Sequence, residues 1–182
     1  MGKRSNFERN PRDYYPTPYL PAVPALLPFL RPVPVMKPIK FIEPMAGDGR
    51  LAKFIEEDGH QCVYKCDLEP QADGIEKRDV LFFDDPLPPC DMIITNPPWG
   101  REVLHASIER FVAHADTWLL FDADWAYTEY PAPYRAICKK IVAVGRVSWM
   151  GNGVSGFDNC SWYLFSNDHA RYGNEAIFYF KR

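Results

Sequence analysis

The stretch Asp91-Met92-Ile93-Ile94-Thr95-Asn96-Pro97-Pro98-Trp99 constrains the fold more than any other part of this 182-residue chain. Met-Ile-Ile-Thr is short, apolar and β-branched, which suits a buried strand better than a helix. Pro97 and Pro98 have no N–H to give to a sheet ladder, so the strand must stop there. The Asn96 carboxamide and the Trp99 ring are then held at the strand's carboxyl end, where open α/β sheets bind their ligands. The Asn96 side-chain oxygen and the Pro97 carbonyl can both accept hydrogen bonds from one amino group, while Trp99 offers a flat face to the planar ring bearing it. Accepting both protons steers the nitrogen lone pair out of the ring plane and toward an electrophile. The same residues, taken alone, also describe a strand followed by a Pro-Pro turn with a surface tryptophan.

The pattern around this stretch predicts strands over residues 39–43, 61–66, 79–83, 91–95, 116–121, 140–147, 161–165 and 176–180. Helices are predicted over 23–30, 50–58, 102–114 and 133–139. Strands alternating with helices imply βαβ units and a mostly parallel sheet with helices on both faces. The closing strands have no full helix between them, so an antiparallel hairpin is expected at one edge. Residues 1–13 are polar and charged and read as a mobile arm, and 14–182 as one catalytic domain. The proline-rich stretch 31–38 between the first helix and the first strand reads as an extended connector.

Composition narrows the class. Hydrophobic content of 47% with 25% charged residues is that of an ordinary globular protein. No apolar run is long enough for a membrane span, and MGKRSNFERNPR lacks the apolar core of a secretory signal. The five cysteines form no CxxC pair, which fits a reduced cytoplasmic chain rather than a disulfide framework or a zinc site. His60, His105, His114 and His169 have no metal-like spacing, so no metal is expected. A net charge of −3 argues against a dedicated nucleic-acid binder, although Lys3, Arg4, Arg9 and Arg12 make the amino end locally basic.

A second constellation lies upstream. Phe41-Ile42-Glu43-Pro44-Met45-Ala46-Gly47-Asp48-Gly49-Arg50 is a strand–loop–helix junction. Gly47 and Gly49 permit a tight turn and close approach of a ligand, and the helix that follows presents free N–H groups. This is not a dinucleotide fingerprint, because the third glycine is missing. Glu43 and Asp48 would repel a pyrophosphate and suit a cationic ligand, one carrying an ammonium and a sulfonium. Asp67, at the end of the next strand, can accept both hydroxyls of a ribose. Asp79 can accept from an adenine amine. Either acid could equally be a solvated strand-end or turn residue.

Together these pieces resemble the class I S-adenosylmethionine-dependent methyltransferases, above all those that modify the exocyclic amine of adenine. EPMAGDG at 43–49 is similar to their first cofactor motif, which assigns Glu43, Pro44, Ala46, Gly47, Asp48 and Gly49 to the cofactor. DLEP at 67–70 resembles the acidic ribose motif, carried here by Asp67 and Leu68, and RDVLFF at 78–83 the adenine-contact motif, carried by Asp79 and Val80. NPPW at 96–99 resembles the catalytic tetrad, with Asn96 also touching the cofactor. YPTP at 15–18 resembles the motif that holds the methionine carboxylate, through Tyr15, Thr17 and Pro18.

The order, with YPTP first and the catalytic tetrad after the cofactor motifs, is similar to that of the gamma group of DNA adenine methyltransferases. The compact size and the stretch SGFDNCSWYLF resemble small phage-encoded members. The likeness covers roughly residues 13–165. It implies a Rossmann-like fold with a seven-stranded sheet, S-adenosyl-L-methionine as cofactor, and DNA as partner in a bacterial or phage-infected cytosol. Larger members carry a target-recognition domain after the catalytic one. None is expected here, so site preference would be short, weak or supplied by a protein partner.

The target base would be flipped out and stacked on Trp99, with Phe157 or Trp149 as the opposite wall. Two other readings stay open: the same chemistry on RNA bases or on a protein glutamine amide, and a protein that binds the cofactor without turnover.

Overall fold

The computed structural model describes residues 14–30, 37–82, 86–156 and 158–180. The expected arm over 1–13, most of the proline-rich connector and the candidate wall residue Phe157 lie outside these. Eight strands form one sheet: β1 (Lys40–Glu43), β2 (Gln61–Asp67), β3 (Glu76–Lys77), β4 (Met92–Thr95), β5 (Asp116–Asp122), β6 (Cys138–Arg146), β7 (Asn159–Phe165) and β8 (Ile177–Tyr179), in the order β3-β2-β1-β4-β5-β7-β6-β8. The first five run parallel. β7 is antiparallel to both β5 and β6, and β8 runs parallel to β6 at the edge. The sheet is the mostly parallel one expected, with eight strands rather than seven. The antiparallel pair sits one strand in from the edge, because β8 covers it.

Successive strand residues point to opposite faces, and both faces are buried. Phe41, Ile94, Trp118, Leu120, Trp162 and Leu164 face one core, which α1 (Ala22–Leu30) and α2 (Arg50–Glu57) close. Ile42, Ile93, Leu119, Phe121, Tyr163 and Phe165 face the other, closed by α3 (Arg101–Val112) and by short 3-10 turns at Ala123–Tyr127 and Ala132–Tyr134. α3 buries Leu104, Ser107, Ile108 and Phe111, the stripe expected of a helix lying on a sheet. α1 buries Ala22, Val23, Leu26 and Leu30 in the same spacing despite Pro28 inside it, so packing rather than intrinsic propensity holds it. Trp162 on β7 fastens α1 by donating its indole N–H to the Ala22 carbonyl at 2.8 Å.

Two predicted elements take other forms. Residues 79–82 turn instead of forming a strand, because the Asp79 carboxylate accepts the Leu81 N–H and closes an Asx turn. The strand beside β2 is instead the two-residue β3. Helix 133–139 is a single 3-10 turn, and β6 already begins at Cys138. Lys139, buried on that strand, donates to the Ala136 and Gly173 carbonyls and so fixes the chain there as strand. Among the described residues no helix is long and apolar enough to cross a membrane.

Leu26 is fully buried where α1 meets the sheet. Leu26→Ala is expected to cost about 2–5 kcal/mol of folding stability, seen as a lowered midpoint in urea unfolding with little change in slope.

Candidate active site

The carboxyl ends of β1, β2 and β4 open on one cleft of about 810 Å³. It lies where the chain's parallel strands diverge, β1 leading to β2 and β3 on one side and to β4 and β5 on the other. Such a switch point leaves a crevice that neighbouring loops do not fill. Of the residues expected to bind a cofactor, Tyr15, Thr17, Glu43, Ala46, Gly47, Asp48, Asp67, Leu68, Asp79, Val80 and Asn96 line it. Pro18, Pro44 and Gly49 do not line it, nor does Pro97 of the tetrad, whereas Pro98 does.

The loop after β1 is built around carboxylates. Gly47 has φ 55°, and its N–H donates to Asp67 Oδ2 at 2.7 Å, while Asp67 Oδ1 accepts the Glu69 N–H at 2.8 Å. One side chain at the end of β2 therefore holds two loops in place. A Cβ on Gly47 would lie 2.6 Å from Tyr14 Cε2, so the absence of a side chain lets that ring pack directly over the loop. Gly49, at φ 75°, turns the chain into α2.

Glu43 is 2% exposed, and its Oε2 accepts the N–H of Ala52 in the first turn of α2 at 2.9 Å, a cap reaching in from β1. Burial pushes its carboxyl well above the ordinary value of 4.5, with Asp48 and Asp67 adding repulsion, and the Ala52 N–H only partly offsets this. Asp48 pairs with Arg50 at 2.6 Å. Burial, with the Asp48 charge next, also raises the Tyr14 hydroxyl.

Asn96 follows β4 directly. Its Nδ2 donates to the Tyr15 carbonyl at 3.0 Å, which ties residues 14–18 across the top of the sheet. Trp99 Nε1 donates both to Asn96 Oδ1 and to the Leu120 carbonyl of β5, each at 3.1 Å. The Trp99 ring is half-buried, packs against both cores and meets Trp149 edge-on, with centroids 5.4 Å apart. Trp149 in turn meets Tyr15 at 6.3 Å. Trp99 thus borders the Asn96 end of the site and does not line the main cleft. Sequence reasoning missed Tyr14, Met45, Gln71 and Val103, which are among the other residues that line it. Tyr14 had a signal as the aromatic neighbour of the YPTP stretch, and Met45 as a member of EPMAGDG. Among the described residues no group of His, Cys, Asp and Glu is placed to hold a metal ion.

No protein-family model matches this sequence, and no curated protein does. Solved structures do match. A protein from Pyrococcus horikoshii, provisionally described as an RNA methyltransferase, superposes with a TM-score of 0.64 at 16% identity, over 94% of this chain and 94% of that one. A protein from Listeria monocytogenes, provisionally described as a class I S-adenosylmethionine-dependent methyltransferase, gives 0.60 at 12% identity over 87% of this chain and 62% of that one. The methyltransferase subunit of a type I restriction–modification system from Streptococcus thermophilus gives 0.56 at 10% identity, over 85% and 45%. This chain therefore spans less than two thirds of the latter two. At these identities the likeness is one of fold, and the chain has the class I methyltransferase fold.

Glu43 carries a testable sign. A carboxyl whose folded pKa is raised contributes stability below its unfolded pKa and loses it as pH rises through the folded value. Glu43→Gln keeps an oxygen for the Ala52 N–H and cannot ionise. The variant should match the native protein near about pH 4 and become progressively more stable than it toward neutral pH. Urea unfolding of both proteins across that range checks this, and a constant difference would show that Glu43 does not titrate there.

Proposed function

We propose that this chain is an S-adenosylmethionine-dependent methyltransferase acting on the exocyclic amine of adenine in DNA. The observation that carries the reading is the single cleft shared by Asn96, at the carboxyl end of β4, and by Glu43, Asp48 and Asp67 after β1 and β2. The donor set fits the cofactor. The buried Glu43 carboxyl, disfavoured as an anion by its surroundings, gains a partner in an ammonium. Asp67 is part-exposed at the cleft and retains lone pairs for ribose hydroxyls beyond its two backbone bonds. Thr17, buried at the cleft wall, would meet the carboxylate end. The fold shared with methyltransferases described as acting on RNA and in restriction–modification supports a nucleic-acid substrate.

When bound, S-adenosylmethionine supplies an electrophilic methyl group whose departure leaves a neutral thioether. The chain's own task is alignment and electrostatics. Asn96 Oδ1 and the Pro97 carbonyl accept the two protons of the target amine, favour its pyramidal form and aim its lone pair along the methyl–sulfur axis. They also stabilise the positive charge that develops on the nitrogen until one proton leaves to solvent. Trp99 bounds the plane of the base, which must be flipped from the duplex or taken from a single strand.

Asn96→Ala is expected to lower turnover by about 10²–10³-fold, with a much smaller loss of cofactor affinity because the loops after β1 and β2 keep their contacts. Transfer of a labelled methyl group to DNA, to RNA and to protein extract, followed by analysis of the modified nucleoside, tests the reading. N6-methyladenine in DNA supports it. Label only in RNA or in a glutamine amide would move the same chemistry to that substrate, and near-native turnover by the Asn96 variant would overturn the mechanism.

A further inference from the structure

A carboxamide has two orientations that differ by exchange of its oxygen and nitrogen, and only one presents an acceptor to an incoming amine. Asn96 is held at both ends. Its Nδ2 gives a hydrogen bond to the Tyr15 carbonyl at 3.0 Å, and its Oδ1 receives the Trp99 indole N–H at 3.1 Å. Rotating the group by half a turn would set its NH₂ against the Trp99 N–H, donor to donor, and its oxygen against the Tyr15 carbonyl, acceptor to acceptor. Both bonds would be lost together.

We infer that Trp99 is a positioning residue for Asn96, acting through its indole N–H and distinct from any service of its ring as a wall for the base. This rests on the proposed role of Asn96 as the acceptor for the target amine.

The ring is suited to that task because it cannot easily move. Its N–H is shared with the Leu120 carbonyl of β5, its side chain packs against both cores, and the Trp149 ring meets it at an interplanar angle of 83°. The orientation of Asn96 is thereby referenced to the sheet on one side and to residues 14–15 on the other. The stoichiometry closes as well. Oδ1 has two lone pairs, one engaged by Trp99 and one left for the substrate amine. Phenylalanine would fill the same position with no donor, so the N–H and the ring can be separated by substitution.

Two measurements test this, and the first needs no catalytic activity. In ¹⁵N-labelled protein the five tryptophans give five indole N–H signals, and Trp99→Phe identifies that of Trp99 by its loss. In Asn96→Ala the Trp99 signal should shift, while those of Trp118, Trp125 and Trp162, whose indole N–H groups do not bond Asn96, should move far less. An unmoved Trp99 signal overturns the proposal. Should Trp99→Phe fail to fold, a Trp149→Phe protein separates the two neighbouring signals and the Asn96→Ala comparison still decides.

The second measurement is the kinetic split. Trp99→Phe should lower kcat about five- to tenfold, the effect of one lost hydrogen bond, with KM for the nucleic acid unchanged. An unchanged kcat, or a loss confined to KM, would show that the ring alone matters and would overturn the proposal. If the native protein methylates no substrate, the reading of the whole site fails, and the indole signals still report whether the clamp exists.

Discussion

Two adjacent prolines in the middle of the sheet are the constraint on which the site depends. β4 lies between β1 and β5 and is buried on both faces, so its ladder would otherwise continue with them. Pro97 and Pro98 remove two consecutive donors, and pairing with β5 ends at Thr95. The chain leaves the sheet beside the ends of β1 and β2, and the next side chain, Asn96, is delivered to the crevice. Trp99 then returns to the sheet by donating to the Leu120 carbonyl, which keeps this departure short and rigid.

The other half of the cleft depends on buried or shared carboxylates. Asp67 binds the Gly47 N–H and the Glu69 N–H, and Glu43 binds an N–H of the first turn of α2. Neither arrangement is the most stable that burial alone would select. An apolar residue at Glu43 would avoid the desolvation that raises its pKa, at the loss of a cap. A cleft lined by Glu43, Asp48, Asp67 and Asp79 suits a ligand with positive charge and hydroxyl donors, and the desolvation and repulsion that disfavour the Glu43 anion would be relieved by such a ligand.

Much of this was legible in the sequence, and the exceptions have physical causes. β4 and β5 carry continuous apolar runs, β1 a Phe-Ile pair between Lys40 and Glu43, and α2 and α3 clear stripes, so period and composition located them to within about two residues. Glu43, Asp67 and Asn96 could be placed because each sits where a strand ends, and in a parallel sheet such ends converge. Residues 79–83 misled because Val80 and Leu81 look like strand residues, while Val80 is buried against the second core from within a turn. β3 gave no signal, since Glu76 and Lys77 are charged and exposed. The short helix α4 (His169–Tyr172) is set by the Asp168 cap on the Arg171 N–H, a local contact that no periodicity reports over one turn. The Asn96–Tyr15 bond and the packing of Tyr14 on Gly47 join segments far apart in the chain, and only the fold reveals them.

The central claim is that this cleft holds a cationic nucleoside cofactor beside an amine-accepting carboxamide. Calorimetric titration of S-adenosylmethionine into the full chain tests it most directly. Saturable binding at one site is expected, with affinity rising as pH climbs through the titration of Glu43, because the ammonium favours the ionised carboxyl. The absence of saturable binding at every pH where the protein is folded would contradict it.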